Sequence, residues 1–200
     1  MSTLTDYLNL KGFHQFEGHS QQVSEQVKDL IELTNKPYVN VMEIGFNAGH
    51  SAEIFLKNNS SLSLTSFDLG SHDYLSTAKD YIDAIYPNRH TLILGDSKES
   101  VPKYLNENND KKFDVIFIDG GHDYHTAISD LINCKHFAHK DTIVIMDDTK
   151  DENHNNDNEY TWGPIRAWKQ YIKYDMLTEL GYKDYGIGRG MSWGKYLNFL

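Results

Sequence analysis

Two hundred residues suffice for one domain around a single core, and 29 acidic against 19 basic side chains leave a formal charge of −10. That acidity, with no run of Lys and Arg, argues against nucleic acid as a partner. The single cysteine, Cys134, excludes an intramolecular disulfide and a CxxC site. No apolar run approaches the roughly 18 residues of a membrane span, so the expectation is a soluble, cytoplasmic protein with no membrane partner.

Residues 1–19 are polar with scattered aromatics and read as an arm or lid ahead of a core at 20–200, the whole forming one domain. From Ser20, the residues Val23, Val27, Leu30, Ile31 and Thr34 recur at helical spacing, and Pro37 follows the end of that pattern. Strands and helices then alternate. "YVNVMEI" reads as a strand, "HSAEIFLKN" as a helix and "LSLTSFD" as a strand. "HDYLSTAKDYIDAIY" reads as a helix capped by Ser71 and stopped by Pro87. "HTLILG", "FDVIFID" and "DTIVIMD" complete five strands, with helices at "KESVPKYLNEN" and "YHTAISDLINCKHF", the second with Asp123 as N-cap. "DDTKDENHNNDNEYTW" is too polar to pack and reads as an exposed loop. Helix resumes at Gly163-Pro164 with Pro164 at the first helical position, and Ile165, Trp168 and Ile172 share one face. The runs "YKDYGIGRG" and "MSWGKYLNF" read as a hairpin joined at Gly190. Five short apolar strands separated by helices require right-handed crossovers and a parallel sheet covered on both faces. The fold class is a doubly wound, Rossmann-like α/β domain.

In such a sheet, ligands bind beyond the carboxyl ends of the strands. The five strands run into Glu43 to Gly49, Asp68, Asp96-Ser97, Asp119 and Asp147-Asp148, so every strand ends at or near a carboxylate. One such Asp is an ordinary cap; five on one rim form a site. The first turn is G-x-x-x-G, from Gly45 to Gly49, with Asn47 where a dinucleotide fold places its second glycine. Glu43 adds a fixed negative charge that disfavours a diphosphate. A ligand with an amino group and no phosphate fits better, although Asp68 suits a ribose diol in either class. A nicotinamide-dependent oxidoreductase and a non-catalytic cofactor-binding subunit are the alternatives.

"VMEIGFNAGHSAEIFL", "FDLG", "LILGDSKESVPKYL", "FIDGGHDYHTAISDL" and "IVIMDD", in this order, resemble the class I S-adenosylmethionine-dependent methyltransferases. The chain is most similar to methyltransferase domain family 24, related to the small-molecule O-methyltransferases of the catechol and macrocin types. The likeness runs from about Ser20 to Gly190. It implies transfer of a methyl group from S-adenosylmethionine to a hydroxyl of a small molecule or carbohydrate, and leaves a homodimer open. It implies a seven-stranded, mostly parallel sheet, whose one antiparallel strand comes from the terminal hairpin. Glu43, Gly45 and Gly49 would shape the pocket for the methionine end of the cofactor, with Asn47 in the same turn. Ser51 would donate near it, Asp68 and Leu69 would hold the ribose, and Asp96 with Ser97 would border the adenine.

In metal-dependent relatives, residues matching Asp119, Asp147 and Asp148 bind magnesium. Two carboxylates 4 Å apart repel by about 4 kcal/mol at an effective dielectric near 20, so such a cluster needs a cation, protonation or separation. Against it, the adjacent Asp147 and Asp148 point to opposite faces unless the strand ends between them. Asp119 would face the cofactor or the metal, and His122, two residues past Gly120, is the candidate general base. Catechol-type enzymes use a lysine there, and this sequence has none. Tyr160, Trp162, Phe13, Phe16 and His19 are candidates for the acceptor wall.

Overall fold

The computed structural model describes residues 3–36, 40–150, 159–186 and 188–198. Tyr38 and Val39, expected to open the first strand, lie outside them with Pro37, as do most of the expected acidic loop (151–158) and Phe199. The strands are β1 (Asn40–Ile44), β2 (Ser63–Asp68), β3 (His90–Leu94), β4 (Phe113–Ile118), β5 (Ala138–Met146), β6 (Leu177–Gly186) and β7 (Arg189–Tyr196). The helices are α1 (Leu4–Leu10), α2 (Ser24–Thr34), α3 (His50–Asn58), α4 (Leu75–Ile85), α5 (Ser97–Glu107), α6 (Tyr124–Lys135) and α7 (Glu159–Lys173).

One seven-stranded sheet has the order β3-β2-β1-β4-β5-β7-β6. Strands β1 to β5 pair in parallel, and β7 pairs antiparallel with both β5 and β6. β7 is therefore the one antiparallel strand. The order reverses at β1, which lies between β2 and β4, and this switch point is where a doubly wound sheet opens a crevice.

The strands bury both faces because successive side chains alternate. Val41, Val115, Phe117 and Ile145 pack with Leu4, Leu30, Phe55 and Ile82, so α1 to α4 cover one face. Met42, Ile116, Ile118 and Val144 pack with Val101, Leu131, Cys134 and Trp168, so α5 to α7 cover the other. Burying one such large apolar side chain contributes about 2 kcal/mol.

Four expectations change in detail. The arm opens with a helix: Thr3 and Asp6 exchange hydrogen bonds at 3.1 Å, closing a capping box, and Leu4 and Leu8 are fully buried. Ser71 does not cap α4, which starts after Tyr74 with no side-chain cap, because a Leu75 N–H to His72 carbonyl bond (3.2 Å) turns the chain first. α7 begins at Glu159, ahead of Pro164. Tyr160, whose hydroxyl donates to the Gly188 carbonyl at 3.0 Å, and the buried Thr161 anchor that extra turn. The hairpin turns between Gly186 and Arg189, not at Gly190, which pairs with Asp184 within the ladder. The left-handed backbone the turn needs is supplied by Gly186 and Gly188, at φ 72° and 82°.

Candidate functional site

The turn after β1 is fixed by close backbone approach. Gly45 has φ 95°, and a Cβ added there would lie 1.9 Å from the Asp119 carbonyl oxygen, so the β1 and β4 turns touch backbone to backbone. Asn47 donates its backbone N–H to Asp68 Oδ2 at 2.7 Å and accepts from the Tyr74 hydroxyl at 2.6 Å. The other oxygen of Asp68 accepts from the Gly70 N–H at 2.8 Å. Glu43 is fully buried and accepts from the Ser51 and Ser66 hydroxyls, both at 2.5 Å. Burial pushes its carboxyl up to about 7, against the two serine bonds that lower it. Glu43 therefore stands behind the wall and ties β1 to α3 and β2. Ser51 spends its hydrogen on Glu43, and Gly49, at φ 78°, opens α3.

A cavity of about 780 Å³ lies over the carboxyl ends of the strands. On one side of the β1 turn it is lined by Asp68, Leu69, Asp96, Ser97 and Lys98. Asp96 caps α5 by accepting from the Lys98 N–H at 3.0 Å. On the other side it is lined by Asp119, His122, Asp147, Asp148, Tyr160 and Arg189, with Glu17 and Gly18 of the arm also on the wall. Gly45 and Asn47 line it too. The strand-end carboxylates read from the sequence thus meet in one cavity, with Glu43 beneath it.

The acidic end is built by a change of backbone direction. Asp148 has φ 55°, so the extended run stops between the two aspartates. Asp147 is buried and turned toward α2, where both its oxygens accept from Gln26 Nε2 at 2.8 and 2.7 Å. Asp148 Oδ2 lies 3.0 Å from His122 Nε2. Ligand atoms of Asp119, His122 and Asp148 lie within 4.8 Å of one another. The converging trio thus contains His122 where the sequence expectation had Asp147. Burial, then the charges of Asp147 and Asp148, raise the Asp119 carboxyl well above the usual range. Burial likewise lifts Asp147 to about 7. The bond to Asp148 raises His122 above its ordinary value.

The glycines of "FIDGGH" also serve packing. A Cβ on Gly120 would lie 2.9 Å from Ile44 Cγ2, and one on Gly121 would lie 2.9 Å from Thr126 Cγ2. Gly163 lets α7 press onto the same loop, since a Cβ there would lie 2.1 Å from the His122 carbonyl oxygen. Of the aromatic candidates, Tyr160 lines the cavity, its ring centroid 5.6 Å from that of His122. Phe13 and Phe16 pack edge-on against Tyr74, at 6.3 and 5.4 Å, and bind the arm to the body. His19 stacks on His50 at 3.6 Å, while Trp162 is half exposed and covers Arg166.

Sequence reading missed Arg189, Gln26 and the arm residues Glu17 and Gly18. Gln26 carried a signal: it falls on the apolar stripe of α2 between Val23 and Leu30, where a polar residue needs a buried partner. Arg189 carried none, because its place depends on β7 inserting beside β5.

The methyltransferase domain family, Methyltransf_24, matches residues 42–149, more than half of the chain. No curated protein matches the chain by sequence. Solved structures of similar fold include an O-methyltransferase from Bacillus cereus in complex with SAH, at 14% identity and TM-score 0.71, covering 96% of this chain and 88% of that one. TomG, an O-methyltransferase from Streptomyces achromogenes solved with SAM, gives 13% identity and TM-score 0.71, covering 98% and 88%. CalS11, a TDP-rhamnose 3'-O-methyltransferase of calicheamicin biosynthesis, gives 19% identity and TM-score 0.64, covering 87% and 78%. At these identities the likeness to the solved structures is one of fold. The family match runs from within β1 to just past β5, over the strand ends that line the cavity, and by it the chain belongs to the methyltransferase domain family.

Proposed function

We propose that the chain transfers a methyl group from S-adenosylmethionine to a hydroxyl of a small molecule or sugar. One observation carries this reading: the cavity gathers nucleoside-type groups and acid–base groups on opposite sides of the Gly45 turn. Asp68, which lines the cavity with each oxygen held by a backbone N–H group, suits a ribose diol, and Asp96 and Ser97 border the space next to it. The acidic lining also suits a sulfonium cation. The cofactor would supply an electrophilic methyl group.

On the other side, Asp148 holds His122 through Nε2 and raises its proton affinity, an arrangement that can take a proton from an acceptor hydroxyl. Tyr160 gives that end an aromatic wall. The chain's contribution to rate is then mainly positioning of the acceptor oxygen in line with the methyl group.

The residues also fit a divalent cation. Asp119 and Asp148 offer carboxylate oxygens and His122 an imidazole nitrogen within 4.8 Å of one another, and a cation there would offset the burial and the neighbouring charges that raise Asp119. Such a mixed set suits manganese, iron or zinc as well as magnesium. Bound there, the ion would lower the pKa of an acceptor hydroxyl. The fold likeness to a TDP-rhamnose 3'-O-methyltransferase supports including sugars among the acceptors.

The test is transfer of labelled methyl from S-adenosylmethionine to a panel of sugars and catechols, with EDTA or with added magnesium or manganese. Label on a hydroxyl oxygen is expected. A folded protein that binds the donor yet transfers nothing across the panel would contradict the catalytic reading.

A further inference from the structure

We propose that Arg189 receives the carboxylate at the amino-acid end of the methyl donor, an assignment that rests on the S-adenosylmethionine reading above. Arg189 opens β7 on the cavity wall, on the acidic side of the sheet and away from Asp68 and Asp96. Its guanidinium lies directly against the arm: a Cβ on Gly18 would be 2.3 Å from Arg189 Nη2. Gly18 also borders a narrow recess formed by Gly45 to Ala48, His50 and Ser51. The guanidinium therefore overlooks the β1 turn from the side opposite the nucleoside groups, where the amino-acid end of a donor held at Asp68 must extend.

Charge balance singles this residue out. The cavity is lined by seven carboxylates, from Glu17 to Asp148, and by only two Lys or Arg side chains, Lys98 and Arg189, among the described residues. A ligand carboxylate losing water in such surroundings needs a cation beside it. Lys98 stands at the nucleoside end, 3.4 Å from Asp96. Arg189 reaches Gln22 Oε1 at 3.4 Å, a neutral amide at the limit of a hydrogen bond, and makes no ion pair among the described residues. Its planar fork of donors is thus available to a carboxylate. Its charge also lowers the proton affinity of Asp119 and Asp147, which puts it within electrostatic reach of the acidic end.

The test compares S-adenosylmethionine with its decarboxylated form by calorimetric titration of wild type, Arg189→Gln and Arg189→Lys. The acidic walls alone favour the decarboxylated compound, which carries one more net positive charge. A wild-type preference for the carboxylated donor of about tenfold or more is expected, from one charge-assisted bond pair. Arg189→Gln should abolish or reverse that preference, and Arg189→Lys should keep part of it. Absence of a wild-type preference, its survival in Arg189→Gln, or an equal loss of both ligands in folded Arg189→Gln would each overturn the assignment. If folded wild type binds neither compound, the donor reading itself fails and the assignment falls with it.

Discussion

Replacing Ser66 by Ala tests how the floor of the cavity is held. Ser66 is fully buried and donates to Glu43 Oε2 at 2.5 Å, while His90 Nε2 lies 3.0 Å from the same Ser66 oxygen. Because Ser66 has one hydrogen and gives it to Glu43, His90 must donate through Nε2, leaving its buried Nδ1 as the unprotonated nitrogen. Burial holds His90 down at about 4, which agrees with a neutral ring. The substitution removes one hydrogen bond to a buried carboxylate and little volume. The expected loss is about 2 kcal/mol where Glu43 is ionised and about 1 kcal/mol where it is protonated.

The sign follows from linkage. Burial raises Glu43 to about 7 in the folded chain, above the ordinary range of a glutamate carboxyl. Its stabilising contribution is complete below the unfolded value and is lost as pH rises toward the folded one. Removing Ser66 takes away a bond that lowers the folded value, so in the variant the loss continues above pH 7. Urea unfolding followed by tryptophan fluorescence at pH 5.5 and 8.5 should give a larger difference between variant and wild type at the higher pH. An equal difference at both pH values would refute the coupling of Ser66 to the charge on Glu43.

Asp68→Ala should weaken S-adenosylmethionine binding by about ten- to a hundredfold in calorimetry, the value of a charged hydrogen-bond acceptor; unchanged affinity would sink the ribose assignment. Gly45→Ala combines a φ of 95° with a clash against the Asp119 carbonyl, so a loss of about 3 kcal/mol or more is expected in thermal melts, and a wild-type melting point would contradict it. Asp148→Ala should lower turnover by about a hundredfold or more while leaving donor affinity within about threefold. Equal losses in both measurements would move Asp148 from the acceptor side to the donor side.

The fold was legible because its elements are local and strongly patterned. Apolar runs such as Val115 to Ile118 alternate with helices whose starts are marked, as at Asp123, which accepts from the Thr126 N–H at 3.0 Å. The rim was legible because parallel strands put their carboxyl ends together, so Asp68, Asp96, Asp119 and Asp148 share a cavity wherever the helices lie. The arm helix was not read, although Thr3-x-x-Asp6 beside Leu4 and Leu8 marked it, because polar composition and scattered aromatics masked that short signal. Side-chain direction at the acidic end was not legible. Whether Asp147 or His122 joins Asp119 depends on a left-handed residue at Asp148 and on the Gln26 amide, more than a hundred residues away in sequence. Arg189 was equally hidden, since it comes to the cavity only through the pairing of β7 with β5.

The most direct test of the central claim is calorimetric titration of the folded protein with S-adenosylmethionine, and in parallel with NAD, in buffer containing magnesium. Saturable, one-site binding of S-adenosylmethionine that Asp68→Ala weakens is expected, with no binding of NAD. Binding of NAD alone, or of neither compound, would contradict the claim.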